Sequence, residues 1–153
     1  MNKYWIRTSM VFLILSILAA CGSDDTNLTL VTDEREDLVR EFVTEYKETM
    51  VDAYNTGNFN ELEPFLITNN SFYHSLRRYI SDSHSEGNTK ELLDFQVHQV
   101  FEDPEGDLYV DATERVEVIE HGQANEVERD VRFELTKGGS DSFRIVTIRH
   151  VKS

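Results

Sequence analysis

The sequence is poor in the residues that usually stabilise small extracellular folds or bind metals through sulfur. Its 153 residues include one cysteine, two prolines and one tryptophan. The single cysteine, Cys21, cannot form a disulfide within the chain, and it gives no Cys-x-x-Cys pair for zinc or redox chemistry. If Cys21 is chemically blocked, thiol catalysis is excluded as well. We therefore expect one domain that depends on an ordinary hydrophobic core.

Positive charge is also scarce. The chain has 15 basic and 29 acidic residues, a formal net charge of −14. Its first twenty residues hold Lys3 and Arg7 and no acid, so the remainder carries 13 − 29 = −16. Such a charge argues against nucleic acid as a partner and against broad docking onto an anionic lipid or teichoic-acid surface. A small local basic site remains compatible with it.

No hydrophobic run is long enough to cross a membrane comfortably. The apolar stretch Met10–Leu18 has nine residues, follows Lys3 and Arg7, and leads into Leu18-Ala19-Ala20-Cys21. A short apolar run after a positive segment is typical of a signal peptide rather than a membrane span. The small residues before Cys21 are similar to the lipobox of bacterial lipoproteins. The alternative is an uncleaved anchor helix with an incidental cysteine.

The lipobox resemblance implies three segments. Residues 1–20 are predicted to be a cleaved signal peptide, and Cys21 is predicted to carry a diacylglycerol thioether. Two acyl chains anchor a protein stably where one is marginal. Residues 21–32 are short, polar and poor in packing residues, so they are predicted to form a tether. Residues 33–153 are then predicted to fold as one domain on the extracytoplasmic face of the cell membrane.

Helical periodicity fills the first part of this domain. Asp33 is placed to cap a first helix, with Glu36 in the capping-box position, and Gly57 is suited to end it. A short second helical piece is interrupted near Pro64, and a third helix follows and ends at Gly87. The predicted inner faces of these helices consist of Val39, Phe42, Val43, Tyr46, Met50, Ala53, Tyr54, Phe59, Leu62, Phe65, Leu66, Phe72, Leu76, Tyr79 and Ile80.

After Lys90 the apolar period changes from about 3.6 to 2, which predicts strands. Turn residues at Asp103–Gly106, at His121–Gly122 and at 137–142 divide the region into four strands. The result is an α+β fold, with helices over one face of an antiparallel meander of about four strands. The predicted inner faces are Leu93, Phe95, Val97 and Phe101; Leu108, Val110, Ala112, Val116 and Val118; Val127, Val131, Phe133 and Leu135; and Phe143, Ile145, Thr147 and Val151.

This order resembles the NTF2-like fold, a curved sheet wrapped over helices to form a cone. A more specific resemblance is carried by segments 42–46, 53–59, 62–66 and 71–73 and by Tyr79-Ile80. Through them, residues 36–152 resemble the C-terminal NTF2-like domain of the TcaA/YvbJ family of Gram-positive envelope proteins. Members of that family typically carry an N-terminal zinc ribbon and a membrane helix, whereas this chain has no Cys-x-x-Cys pair and a predicted lipid replaces the helix.

Polar residues interrupt the apolar face of the predicted sheet. If His121–Gly122 is a two-residue hairpin loop, Glu114 lies opposite Arg129. In the same register Phe95 flanks Glu114, and Arg129 lies opposite Arg149. One acid against two arginines leaves local positive charge that could hold a carboxylate or phosphate through forked hydrogen bonds. The alternative is a paired network at the mouth of the cone with no ligand, and a one-residue slip would separate the row.

The remaining polar residues do not form a catalytic or metal-binding pattern. The five histidines, His74, His84, His98, His121 and His150, show no i,i+4 pair and no His-Glu-x-x-His motif. An acid–base enzyme would have to combine Glu114 with Tyr46 or Tyr54. The acids Asp103, Glu105 and Asp107 lack the spacing of a calcium loop. We therefore expect neither a metal nor a cofactor.

These observations favour a non-catalytic binding or interaction module in the cell envelope, with an envelope protein or a small anionic ligand as partner. The main alternative is a small-ligand receptor or enzyme that uses the cone. An open, polar-lined cavity would favour that alternative, whereas a cone filled by aromatic residues would oppose it. The aromatic residues that would fill the cone are Tyr54, Phe95, Phe101 and Phe133. A third hypothesis is a homodimer formed through the exposed face of the sheet.

Overall fold

A computed structural model describes residues 27–139 and 142–151 of the chain. The predicted signal peptide, Cys21 and the first part of the predicted tether lie outside these residues. Within the described ranges, no helix combines the length and apolar character needed to span a membrane.

Three helices form the N-terminal half, and the predicted ends of the first helix are confirmed. Helix α1 is Glu34–Thr56; its cap residue Asp33 accepts a hydrogen bond from the backbone N–H of Arg35. It ends at Gly57, which has a φ of 75° and donates its N–H to the Ala53 carbonyl. The left-handed conformation explains why glycine stands there. A 3₁₀ helix, Phe59–Phe65, contains Pro64, and helix α2 is Ser71–Ser85.

Five antiparallel strands form one sheet, in which they lie side by side in the same order as in the sequence. They are β1 (Thr29–Leu30), β2 (Thr89–Glu102), β3 (Leu108–Glu120), β4 (Gln123–Lys137) and β5 (Phe143–His150). The two-residue strand β1 pairs with the end of β2, and Val31 is buried beside it. The predicted four strands are therefore five, and the folded part begins before Asp33, within the predicted tether.

The helices pack on one face of the sheet, and the core lies between them. This arrangement confirms the α+β prediction. The opposite face of the sheet is polar and carries ion pairs, such as Arg132–Asp111 at 2.6 Å and Arg149–Glu134 at 3.0 Å. The completely buried large side chains include Val39, Val43, Tyr46, Tyr54, Leu62, Ile80, Val100, Leu108, Phe133, Leu135 and Ile145.

Two irregularities in β2 change which of its side chains point toward the core, compared with a strictly alternating strand. The pairing of β2 with β3 shifts between Leu92 and Asp94 and again between Val97 and Gln99. An extra residue reverses the direction of every following side chain. Leu93 is therefore exposed, and the predicted inward position of Phe101 is wrong. Val100 is fully buried instead.

Candidate functional site

The central pair of the predicted polar row is present. The loop His121–Gly122 has positive φ at both residues, 51° and 78°, as a two-residue hairpin turn of type I′ requires. This turn pairs Glu114 of β3 with Arg129 of β4, and β2 places Phe95 opposite Glu114 on the other side. Arg129 donates from Nε to Glu114 Oε1 over 2.5 Å.

Arg149 does not belong to this row, so its predicted position beside Arg129 is wrong. It lies opposite Arg132 on the outer face of the sheet and pairs with Glu134. The cause is a register shift: Glu134 pairs with Thr147, whereas the next residue of β4 pairs with Ile145. One additional residue in β5 therefore turns Thr147 and Arg149 outward.

Lys47 of α1 takes the place that was predicted for a second arginine. Its Nζ contacts Glu114 Oε2, so the carboxylate lies between an ammonium and a guanidinium. The lysine and the glutamate are 5% and 4% exposed. The inward orientation of Lys47 could have been found in the sequence, because Lys47 lies four residues after Val43 and three before Met50, on the apolar face of the helix.

The electrostatics of this triad favour an ionised carboxylate. Burial alone would raise the pKa of Glu114, but Lys47 and Arg129 together outweigh it and hold that pKa below its usual value. Burial lowers the pKa of Lys47, and the charge of Glu114 opposes that effect. Because the cations occupy both carboxylate oxygens, Glu114 is poorly suited to accept a proton from a substrate.

A second buried cation lies nearby. Lys90, at the start of β2, is 4% exposed, and its Nζ lies 2.9 Å from the Tyr79 hydroxyl and 4.2 Å from the centre of the Tyr54 ring. The side-chain amide of Asn55 pairs with the backbone N–H and C=O of Lys90 and so holds the strand against α1. Burial, followed by the charges of Lys47 and Arg129, lowers the pKa of Lys90 to about 8.

The neighbouring tyrosines are better suited to packing than to proton transfer. Burial raises the pKa of Tyr46 and of Tyr79 far above the usual value. Tyr54 is completely buried, and its hydroxyl lies close enough to Tyr79 to contribute to that second shift. In the part of the chain that the structure describes, however, no group meets hydrogen-bond geometry with the Tyr54 hydroxyl.

Aromatic side chains fill much of the cone. Tyr54 and Phe133 are buried, and Phe95 packs its ring edge-on against Phe133 at 6.1 Å between centroids. Phe101, the fourth predicted filler, lies on the outer face, where the Arg132 guanidinium approaches its ring at 6.0 Å. A groove of about 530 Å³ lies outside the cone and is lined by Arg40, Glu41, Thr44, Glu45, Glu48 and Val97.

In the part of the chain that the structure describes, no hydrogen bond or ion pair joins a histidine to Glu114, Lys47 or Arg129. His84 approaches Asn55, with its Nδ1 3.1 Å from the Asn55 carbonyl oxygen. His98 is exposed and its Nε2 lies 2.7 Å from Thr113 Oγ1. His150 is also exposed, at the end of β5 opposite the core residue Val131. The carboxylates of Asp103, Glu105 and Asp107 lie within 4.8 Å of one another.

Comparison with known proteins establishes the family. The fold and the sheet register define an NTF2-like domain, and the family model described as the TcaA protein NTF2-like domain matches residues 35–149. The chain therefore belongs to this TcaA family. It is also 97% identical, over the whole of both chains, to a protein of Alkalihalophilus pseudofirmus that is described as uncharacterized.

Solved structures of distant sequence share the fold. The intermembrane-space region of the chloroplast protein ARC6 superposes with a TM-score of 0.66 at 16% identity, covering 80% of this chain and 99% of that one. Aln2 from a Streptomyces species superposes with a TM-score of 0.54 at 12% identity, covering 81% of this chain and 94% of that one. Such low identities are evidence for the fold alone.

Proposed function

We propose that this protein is a lipoprotein, anchored through Cys21, whose NTF2-like domain is a non-catalytic binding module on the outer face of the cell membrane. The observation that carries the proposal is the interior of the cone. Its one buried carboxylate among the described residues, Glu114, contacts Lys47 and Arg129, and aromatic rings fill the space beside it. The domain is therefore better suited to bind through its surface than to transform a substrate.

The anchor would hold this surface close to the membrane. Thr29, the first residue of β1, follows Cys21 by eight residues (29 − 21). At no more than about 3.6 Å per residue, a fully extended chain of this length spans no more than about 29 Å. Lipid attached at Cys21 would thus confine the domain to the membrane surface, where other envelope proteins are its available partners.

The outer face of the sheet favours a different protein over a second copy as partner. Its described side chains include the ion pairs Arg132–Asp111, Arg149–Glu134 and Arg115–Glu126 rather than a continuous apolar patch. Two identical copies of such an acidic chain also repel each other. We therefore place the homodimer hypothesis second to an envelope protein.

Crosslinking in living cells tests the proposal. The intact protein and a Cys21→Ala variant would be expressed at equal levels, crosslinked, and their partners identified by mass spectrometry. We expect a recurrent envelope protein with the intact chain, membrane retention that depends on Cys21, and loss of both in the variant. Unchanged membrane retention in Cys21→Ala would contradict the anchor, and an absence of recurrent partners would contradict the interaction module.

A further inference from the structure

The polar side chains of the cone leave an excess of positive charge in an otherwise acidic protein. Lys47 and Arg129 contact the carboxylate of Glu114, and the charges of all three groups reach a third cation, the buried Lys90. The charge of the exposed Glu120 reaches Lys90, but these two side chains form no ion pair among the described residues. Even with Glu120 counted, three positive charges face two negative ones. A buried excess of this kind is unfavourable unless an anion balances it.

Part of this cationic cluster is open to a ligand. The hydrogen bond that Arg129 makes within the described chain uses Nε and Glu114, which leaves its two Nη groups without a protein partner. The Arg129 side chain is 33% exposed, so these donors are accessible from the mouth of the cone. The two Nη groups of a guanidinium present parallel donors, the arrangement that suits an oxyanion.

A buried hydroxyl without a partner marks the same place. Tyr54 lies under the Lys90 ammonium and beside Tyr79, and its hydroxyl is buried without a hydrogen-bond partner in the described structure. Leaving such a donor unsatisfied costs about 1–3 kcal/mol in general, so native proteins usually give it a partner. Tyr79, which covers Lys90, is 42% exposed, and rotation of its side chain would open a path to both groups.

We propose that a small oxyanion, a phosphate or carboxylate group, binds at the mouth of the cone between the Arg129 guanidinium, the Lys90 ammonium and the hydroxyl of Tyr54. The site goes beyond the proposed surface-binding module, and it does not depend on the lipid anchor. The anion accepts hydrogen bonds from these three groups and neutralises the excess charge. Phosphate and carboxylate share the pair of oxygens that the guanidinium requires.

Binding by this site should weaken at alkaline pH. Lys90 must be protonated to attract the anion, and the groups that face it are Lys47, Arg129, Glu114, Glu120 and the two tyrosines. Of these, Lys90 is the group with a pKa near 8. Affinity is therefore expected to fall as the pH rises from 7 to 9.

Calorimetric titration of the full-length chain in uncharged detergent micelles tests the site. Inorganic phosphate and acetate would be titrated separately at constant ionic strength, with chloride as the reference anion. We expect saturable binding of at least one of the two, and the tighter one identifies the ligand group. Lys90→Met should weaken binding by about tenfold, as expected for the loss of a charge-assisted hydrogen bond.

Two further variants separate the site from general electrostatics. Lys137→Met removes a cation that is 57% exposed and 3.6 Å from Glu102, and it should leave affinity unchanged. Tyr54→Phe removes only the hydroxyl, and it should weaken binding by roughly threefold. Circular dichroism would confirm that each variant is folded.

Several results would overturn the site. The first is that neither phosphate nor acetate gives more binding heat than chloride does. The second is that Lys90→Met and Lys137→Met weaken anion binding equally. The third is an anion affinity that does not change between pH 7 and 9. None of these results would affect the crosslinking test. Loss of the anion site and loss of the envelope-module function are therefore distinguishable.

Discussion

Replacing Lys90 with methionine removes a buried cation whose charged form the native state disfavours. Burial, then Lys47 and Arg129, lowers the pKa of Lys90 from 10.5 to about 8. At about 1.4 kcal/mol per tenfold change in the acid constant, the protonated form costs the native state about 3 kcal/mol. Methionine fills a similar volume without charge, so we expect Lys90→Met to raise the free energy of unfolding by about 1–3 kcal/mol at pH 7.

The pH dependence provides the sharper test, and its sign follows from linkage. Between pH 8 and 10.5 the unfolded state binds the Lys90 proton and the native state does not, so the stability of the wild type rises with pH through this window. The cost is fully present below the native pKa of about 8 and has disappeared above the unfolded value of 10.5. The advantage of the variant should therefore shrink from pH 7 to pH 11.

Urea unfolding at pH 7 and pH 11, followed by circular dichroism, measures this difference. Lys137→Met serves as the control. Because Lys137 is largely exposed, the difference in the free energy of unfolding between this variant and the wild type should not change with pH. A gap between Lys90→Met and the wild type that is the same at both pH values would refute the reasoning. So would a variant that is clearly less stable at pH 7.

Three further substitutions test the geometry by urea unfolding. Glu114→Gln should lower the free energy of unfolding by about 3–5 kcal/mol, because it leaves Lys47 charged and buried; a loss below about 1 kcal/mol would contradict this. The penalty should be full above pH 4.5 and diminish in acid, because the native pKa of Glu114 is lower than 4.5. Arg129→Met should keep the fold but lose about 1–3 kcal/mol, since one carboxylate oxygen loses its donor; unchanged stability would argue against the pair. Gly57→Ala should lose more than about 1 kcal/mol, because φ is 75° and the new Cβ would lie 2.6 Å from the His84 ring; a neutral result would exclude this contact.

Local chemistry was sufficient for most of the architecture. Asp33 and Gly57 mark the two ends of the first helix, and Asn70 caps α2 by accepting a hydrogen bond from the Tyr73 N–H. The two-residue turn at His121–Gly122 determines the register of β3 and β4, and with it the Glu114–Arg129 pair. In each case the determining residues lie next to the feature that they specify, so one sequence is enough to find them.

The complete site required the tertiary structure. Sequence by itself determined the helices, the meander and one cross-strand pair, because caps, tight turns and alternation act over a few residues. It did not determine the side on which Arg149 lies, since one extra residue in β5 reverses the strand and nothing in the local pattern marks it. Nor did it bring Lys47 and Lys90 to Glu114 and Tyr54. Packing of α1 against the sheet decided those contacts, because they join residues far apart in the chain.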